Sequence, residues 1–156
     1  MMNSETELND SFAGERLKKS HFHPRQSVLN LRDAWSSWNG YKFADYYYDA
    51  EYEYFCIRNS CATYDICPMQ KYIISGADAE AMLDRVVTRD ITKLKTDRVT
   101  YVCWCTDEGR LIDDGTIFKL RDEKFLLTCG SPSLAWLKKS SFGFDQLLIQ
   151  DASDTI

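Results

Sequence analysis

No apolar run in the 156-residue chain approaches the roughly 18 residues needed for a membrane span, so insertion into a bilayer is not expected. Basic blocks are equally scarce. No run of Lys or Arg exceeds a pair, and 24 acidic against 19 basic residues leave a net charge of −5, which argues against a surface that tracks nucleic-acid phosphates. Met1 to Asp10 carry neither a basic start nor an apolar centre, so no secretory leader is read there and a cytoplasmic location is expected. Histidine is limited to His21 and His23, distant in sequence from thiols such as Cys103 and Cys105, and no metal site is expected. Cys-x-x-Cys, Gly-x-Gly-x-x-Gly, a phosphate loop and a Ser/His/Asp pattern are all missing. The six cysteines are even in number, but without a leader they read as reduced thiols, with Cys103 and Cys105 filling apolar space on one face of a strand.

What is present is one domain's length of ordinary globular composition, 44% hydrophobic and 28% charged. Residues 1–34 are polar, without clear helical or strand periodicity, and read as a flexible arm. The composition changes at Trp35, and Tyr41 to Phe55 hold eight aromatics. Such a density either packs against the core or forms a wall of a ligand pocket, and composition does not separate the two. Ala50 to Ala62 suits a helix. Lys71 to Ser75 reads as a strand broken by Gly76, and Asp78 as the N-cap of a helix whose Ala79, Met82, Leu83, Val86 and Val87 share one face. Arg98 to Cys105, Leu111 to Leu120 and Phe125 to Cys129 read as three strands joined by tight turns, an antiparallel meander. Ser131-Pro132 suggests a helix start, and Gln146 to Ile149 a last strand. The order β-α-β-β-β-α-β points to an α+β fold, a meander with flanking helices.

Within the second strand of the meander, Asp113 and Asp114 are adjacent, so their side chains face opposite ways. The alternative places both acids in the turn after Gly109. If the strand includes them, Asp114 shares a face with Thr116, Phe118 and Leu120, and a carboxylate buried there must be hydrogen-bonded or used.

Six segments occur in order and at matching spacing: Tyr64 to Met69, Ile74 to Ala79, Arg89 to Ile91, Arg98 to Tyr101, Glu108 to Asp114 and Phe125 to Leu127. Together they resemble landmarks of the folate-binding aminomethyltransferase family, which includes the glycine cleavage T-protein, from about Trp35 to Ile156. The resemblance implies that residues 35–156 are part of a folate-binding domain, a fragment inactive alone. It implies tetrahydrofolate as cofactor, with transfer of a one-carbon unit from an amine, thioether or ether donor. Asp114 matches the aspartate beside the reactive folate nitrogen, and Tyr101, Met69 and Thr116 match positions lining the folate pocket. Implied partners are folate, a small methylated or aminomethyl donor, a carrier protein, and a second copy of the chain docking through surface that further domains would cover.

The chain departs from the T-protein pattern at Cys67-Pro68-Met69 in place of Ser-His-Met, at Gly115 in place of an aliphatic residue, and at Gly130 in place of asparagine. These changes favour a paralogue resembling the sarcosine, dimethylglycine or dimethylsulfoniopropionate enzymes. Two other readings stay open: a non-catalytic folate-binding protein of the same fold, and an interaction module that docks through the aromatic cluster.

Overall fold

The computed structural model describes residues 11–12 and 15–155. The remainder of the polar arm read at 1–34 lies outside the described residues. The chain divides into two compact units, 1–68 and 69–156.

In the first unit, β1 (Ser11–Phe12) and β2 (Glu15–Arg16) form a minimal antiparallel pair, followed by α1 (His23–Leu29). Pro24 stands at the start of α1, where its missing N–H has no helical partner to lose. This helix lies in a segment whose sequence shows no helical stripe, because its buried residues, His23 and Gln26, are polar. β3 (Trp35–Trp38) and β4 (Tyr41–Ala44) make a hairpin closed by Asn39-Gly40. Both turn residues have positive φ, 49° and 79°, as a two-residue turn matching strand twist requires. α2 (Ala50–Asn59) starts where expected, with Asp49 Oδ1 accepting from Tyr52 N at 2.8 Å, and ends three residues before Ala62. No residue of α2 is buried.

Among the described residues of this unit a polar network takes the place of an apolar core: the buried ones are Ser20, His23, Gln26, Asn30, Lys42, Ala44 and Pro68. Asp65 is the hub. Its Oδ2 accepts from Ser20 Oγ at 2.6 Å and Gln26 Nε2 at 2.9 Å, and its Oδ1 accepts from Cys67 N at 3.0 Å. Burial pushes the carboxyl up, but the hydrogen bonds from Ser20, Cys67 and Gln26 together outweigh it and hold Asp65 below the ordinary carboxylate value.

The second unit is a five-stranded antiparallel sheet in the order β6-β7-β8-β5-β9, formed by β5 (Gln70–Ser75), β6 (Arg98–Cys105), β7 (Leu111–Arg121), β8 (Lys124–Cys129) and β9 (Leu148–Asp151). Helices α3 (Ala79–Val86) and α4 (Leu134–Ser140), with a 3-10 turn at Ile91–Lys93, cover one face. Tyr72, Ile74, Val102, Trp104, Ile117, Phe125, Leu127 and Cys129 alternate onto that face and meet Ala79, Met82, Leu83, Ile91 and Leu137. Burying each larger apolar side chain contributes about 1.5–3 kcal/mol. The mixed α+β architecture and the β6–β7–β8 meander agree with the sequence reading.

Two details differ. Asp78 occupies the N-cap position of α3, but its Oδ2 accepts from Gln146 N at 2.8 Å while its own N–H donates to Gln146 O at 3.1 Å. Because Gln146 is held there, β9 begins at Leu148. α4 begins at Leu134, with Ser133 in the cap position and its N–H donating to the Tyr72 hydroxyl oxygen at 2.9 Å, while the Ser131 N–H goes to Asp113 Oδ2 at 3.0 Å.

Candidate functional site

The site residues read from the sequence all fall in the second unit. Antiparallel register sets Tyr101 opposite Thr116 and Cys103 opposite Asp114, so Tyr101 and Asp114 are diagonal neighbours on one face. That face is the one opposite α3 and α4. Both acids belong to β7, and a bulge between Trp104 and Cys105 lies beside them. The parity expected for them holds, but the covered side is the other one. Asp113 lies opposite buried Trp104, and its Oδ1 and Oδ2 accept from the N–H groups of Asp114 at 2.9 Å and Ser131 at 3.0 Å. Its work is structural. Asp114 is exposed on the open face, so it escapes the burial cost argued from the pattern.

The Tyr101 hydroxyl donates to Asp114 Oδ2 at 2.6 Å, within the short range of a hydrogen bond to a carboxylate. This bond, joined by partial desolvation and the negative charge of Asp114, pushes the Tyr101 phenol up to about 12. Tyr101 therefore remains a neutral donor throughout the physiological range, although its side chain is 54% exposed. Next to the pair, the hydroxyls of Thr116 and Thr128 share a hydrogen bond at 2.7 Å. Lys71 stands opposite Thr128, so Lys71, Thr128, Thr116 and Tyr101 form one polar row across β5, β8, β7 and β6.

The structure thus brings Tyr101, Asp114 and Thr116 together. Met69 is placed one residue ahead of β5, which is separated from β6 by two strands, with its carbonyl accepting from Lys71 Nζ at 2.9 Å. Thr128 and Lys71 were not singled out by sequence reasoning. The alternation of β8, in which Phe125, Leu127 and Cys129 are buried, is the signal that places Thr128 on the other face. The glycine at 115 also gains a reason: a Cβ there would collide with the carbonyl oxygen of Thr128, so the β7–β8 approach beside Asp114 needs a residue without one.

The thiols are not bridged. Burial pushes Cys129 up to about 11, which suits an inert core thiol. Among the described residues there is no cluster of three or more metal-ligating side chains, and no helix long and apolar enough to cross a membrane.

Comparison with known proteins points the same way. A family described as the GCVT N-terminal domain matches residues 26–156. The chain is 28% identical over 109 residues to an aminomethyltransferase of Oceanobacillus iheyensis, covering 67% of this chain and 29% of that protein. It is 31% identical over 116 residues to a trimethylamine-oxide aldolase of Ruegeria pomeroyi, covering 73% of this chain and 14% of that one. In three dimensions it resembles the glycine cleavage system aminomethyltransferase T from Bartonella henselae, with a TM-score of 0.70 at 18% identity, over 86% of this chain and 38% of the other. That likeness establishes the fold. The chain spans a third or less of the length of these curated relatives.

Proposed function

Because the chain belongs to the family of the GCVT N-terminal domain, we propose that its open sheet face is the pterin-facing wall of a tetrahydrofolate-dependent one-carbon transferase. The unit transferred is methyl or aminomethyl, taken from an amine, thioether or ether donor. The observation that carries this reading is the 2.6 Å bond by which Tyr101 holds the Asp114 carboxylate on that face.

The residues present suit a reduced pterin. A flat, amine-rich ring calls for a carboxylate acceptor, an aromatic surface and small hydroxyls, which Asp114, Tyr101 and the Thr116–Thr128 pair provide. Met69 would add a polarisable apolar contact. When bound, tetrahydrofolate supplies the secondary amine that accepts the one-carbon unit. Tyr101 engages Asp114 Oδ2 and fixes the carboxylate, leaving Oδ1 to accept from a ring N–H. Asp114 then sits where it can stabilise positive charge developing on that amine and take up its proton as the nitrogen is alkylated.

The test is calorimetric titration of reduced tetrahydrofolate into the wild-type chain and Asp114→Ala and, where the reading frame continues, into the longer protein. Saturable binding weakened at least about tenfold by Asp114→Ala supports the assignment. Equal binding by both forms would put the pterin elsewhere, and no binding at either length would remove the function. Binding without turnover of any methylated donor by the longer protein would identify a non-catalytic folate binder.

A further inference from the structure

The first unit contains a cavity of about 500 Å³ whose lining shares no residue with the Tyr101–Asp114 face. Its volume falls in the range of small-molecule sites. Its composition is unusual in two respects. Seven of the 17 lining residues are Phe or Tyr, and the charged ones are Asp45, Glu53 and Asp65, with no Lys, Arg or His among them. Aromatic faces and carboxylates with no cationic side chain in the lining form an environment that favours an organic cation whose charge is too dispersed to be strongly hydrated.

The walls are fixed in advance. Glu53 Oε1 accepts from Tyr47 N and Tyr48 N, both at 2.8 Å, and Asp49 Oδ1 accepts from Tyr52 N at 2.8 Å, so the aromatic loop is fastened to α2. Asp65 fastens the opposite side through Ser20 and Gln26. Tyr47 registers the local field: burial pushes its phenol up, the Gln26 hydrogen bond opposes this, and the negative charges of Asp65 and Glu53 push it further up. The unit already uses its rings as cation seats, one outside the cavity at Trp35 and one on the lining ring of Tyr48. Lys42 Nζ stands 5.1 Å from the Trp35 ring centre, and Arg32 stands 5.6 Å from that of Tyr48.

We propose that this cavity binds a small alkylated ammonium ion. The aromatic walls take the alkyl groups, and Asp45, Glu53 and Asp65 supply the compensating charge. This holds independently of whether the other unit binds folate.

Choline is the probe, set against its uncharged carbon analogue, in which a tert-butyl group replaces the trimethylammonium. Binding is read by saturation-transfer NMR and by quenching of intrinsic fluorescence. Choline should bind saturably and at least about tenfold more tightly than the analogue. Tyr52→Leu and Tyr64→Leu, at exposed positions on the rim, should each weaken choline about 2- to 5-fold. Asp45→Asn should weaken it and reduce its salt dependence, while Phe142→Leu, in the other unit, should leave it unchanged. Equal affinity for choline and the analogue would overturn the proposal, as would the lack of saturable choline binding. Displacement of choline by a tighter-binding Arg- or Lys-bearing peptide would overturn it in favour of a protein partner. The comparison of the two probes on the wild-type chain requires no variant to fold.

Discussion

Tyr101 carries the clearest electrostatic signature in the molecule. Its hydrogen bond to Asp114 stabilises the neutral phenol and pushes it up to about 12 from the ordinary 10.0. A folded-state value above the unfolded one contributes stability that is fully present below pH 10 and is lost as pH rises through about 12. Following the assigned Tyr101 Cζ resonance by NMR as the pH is raised should therefore show it titrating near 12, above the ordinary 10.0. Asp114→Asn should bring it back toward 10, because the charged acceptor is gone while the shape remains. A Tyr101 that titrates at the same pH in both proteins would mean that the 2.6 Å bond does not form in solution. Asp114 and Tyr101 could each be reached from the chain by resemblance, and Asp114 also by strand parity. The bond between them could not, since they are 13 residues apart and meet only through register.

At the scale of elements, Gly115 is the tightest point of the meander. Its partner across β7 and β8 is Cys129, and an added Cβ would meet backbone, the Thr128 carbonyl, which cannot swing aside as a side chain would. Gly115→Ala should lower stability by about 1–3 kcal/mol, measured as a shift in the urea midpoint. The Tyr101 titration should change with it, because prising β8 from β7 disturbs the face that bears Asp114. Unchanged stability would show that the two strands approach less closely than described. The strands β5 to β8 were legible from alternation and turn residues, because each buries one face and turns sharply at its end. The hairpin of β3 and β4 went unread, although Asn39-Gly40 is its local signal. The starts of α4 and β9 were not legible for a different reason: side chains distant in sequence, Tyr72 and Asp78, hold Ser133 and Gln146.

Across the whole molecule, much apolar surface faces solvent despite a mean hydropathy of −0.41. Val99, Tyr101, Leu111 and Leu148 are exposed in the second unit, and Tyr52, Tyr54, Phe55 and Ile57 on α2 in the first. Large apolar side chains left in solvent favour association. Analytical ultracentrifugation over a concentration series should show the chain self-associating, with binding of an apolar fluorescent dye that falls as association proceeds. A monomer at all concentrations that leaves the dye dark would count against this. The aromatic density of Tyr41 to Phe55, open to two readings from composition, resolves here into rings around a cavity rather than a packed core, since α2 buries none of its residues.

The sequence by itself determined the α+β class, the meander, the family resemblance and the opposite facing of Asp113 and Asp114. These follow from local rules: side-chain period, turn chemistry and the order of short motifs. Which face of the sheet is covered, which acid is a brace and which is held out by Tyr101, and what the aromatic run surrounds were decided by the tertiary structure. Those outcomes depend on where helices pack and on cross-strand register. Such contacts join residues far apart in the chain, and no local pattern encodes them.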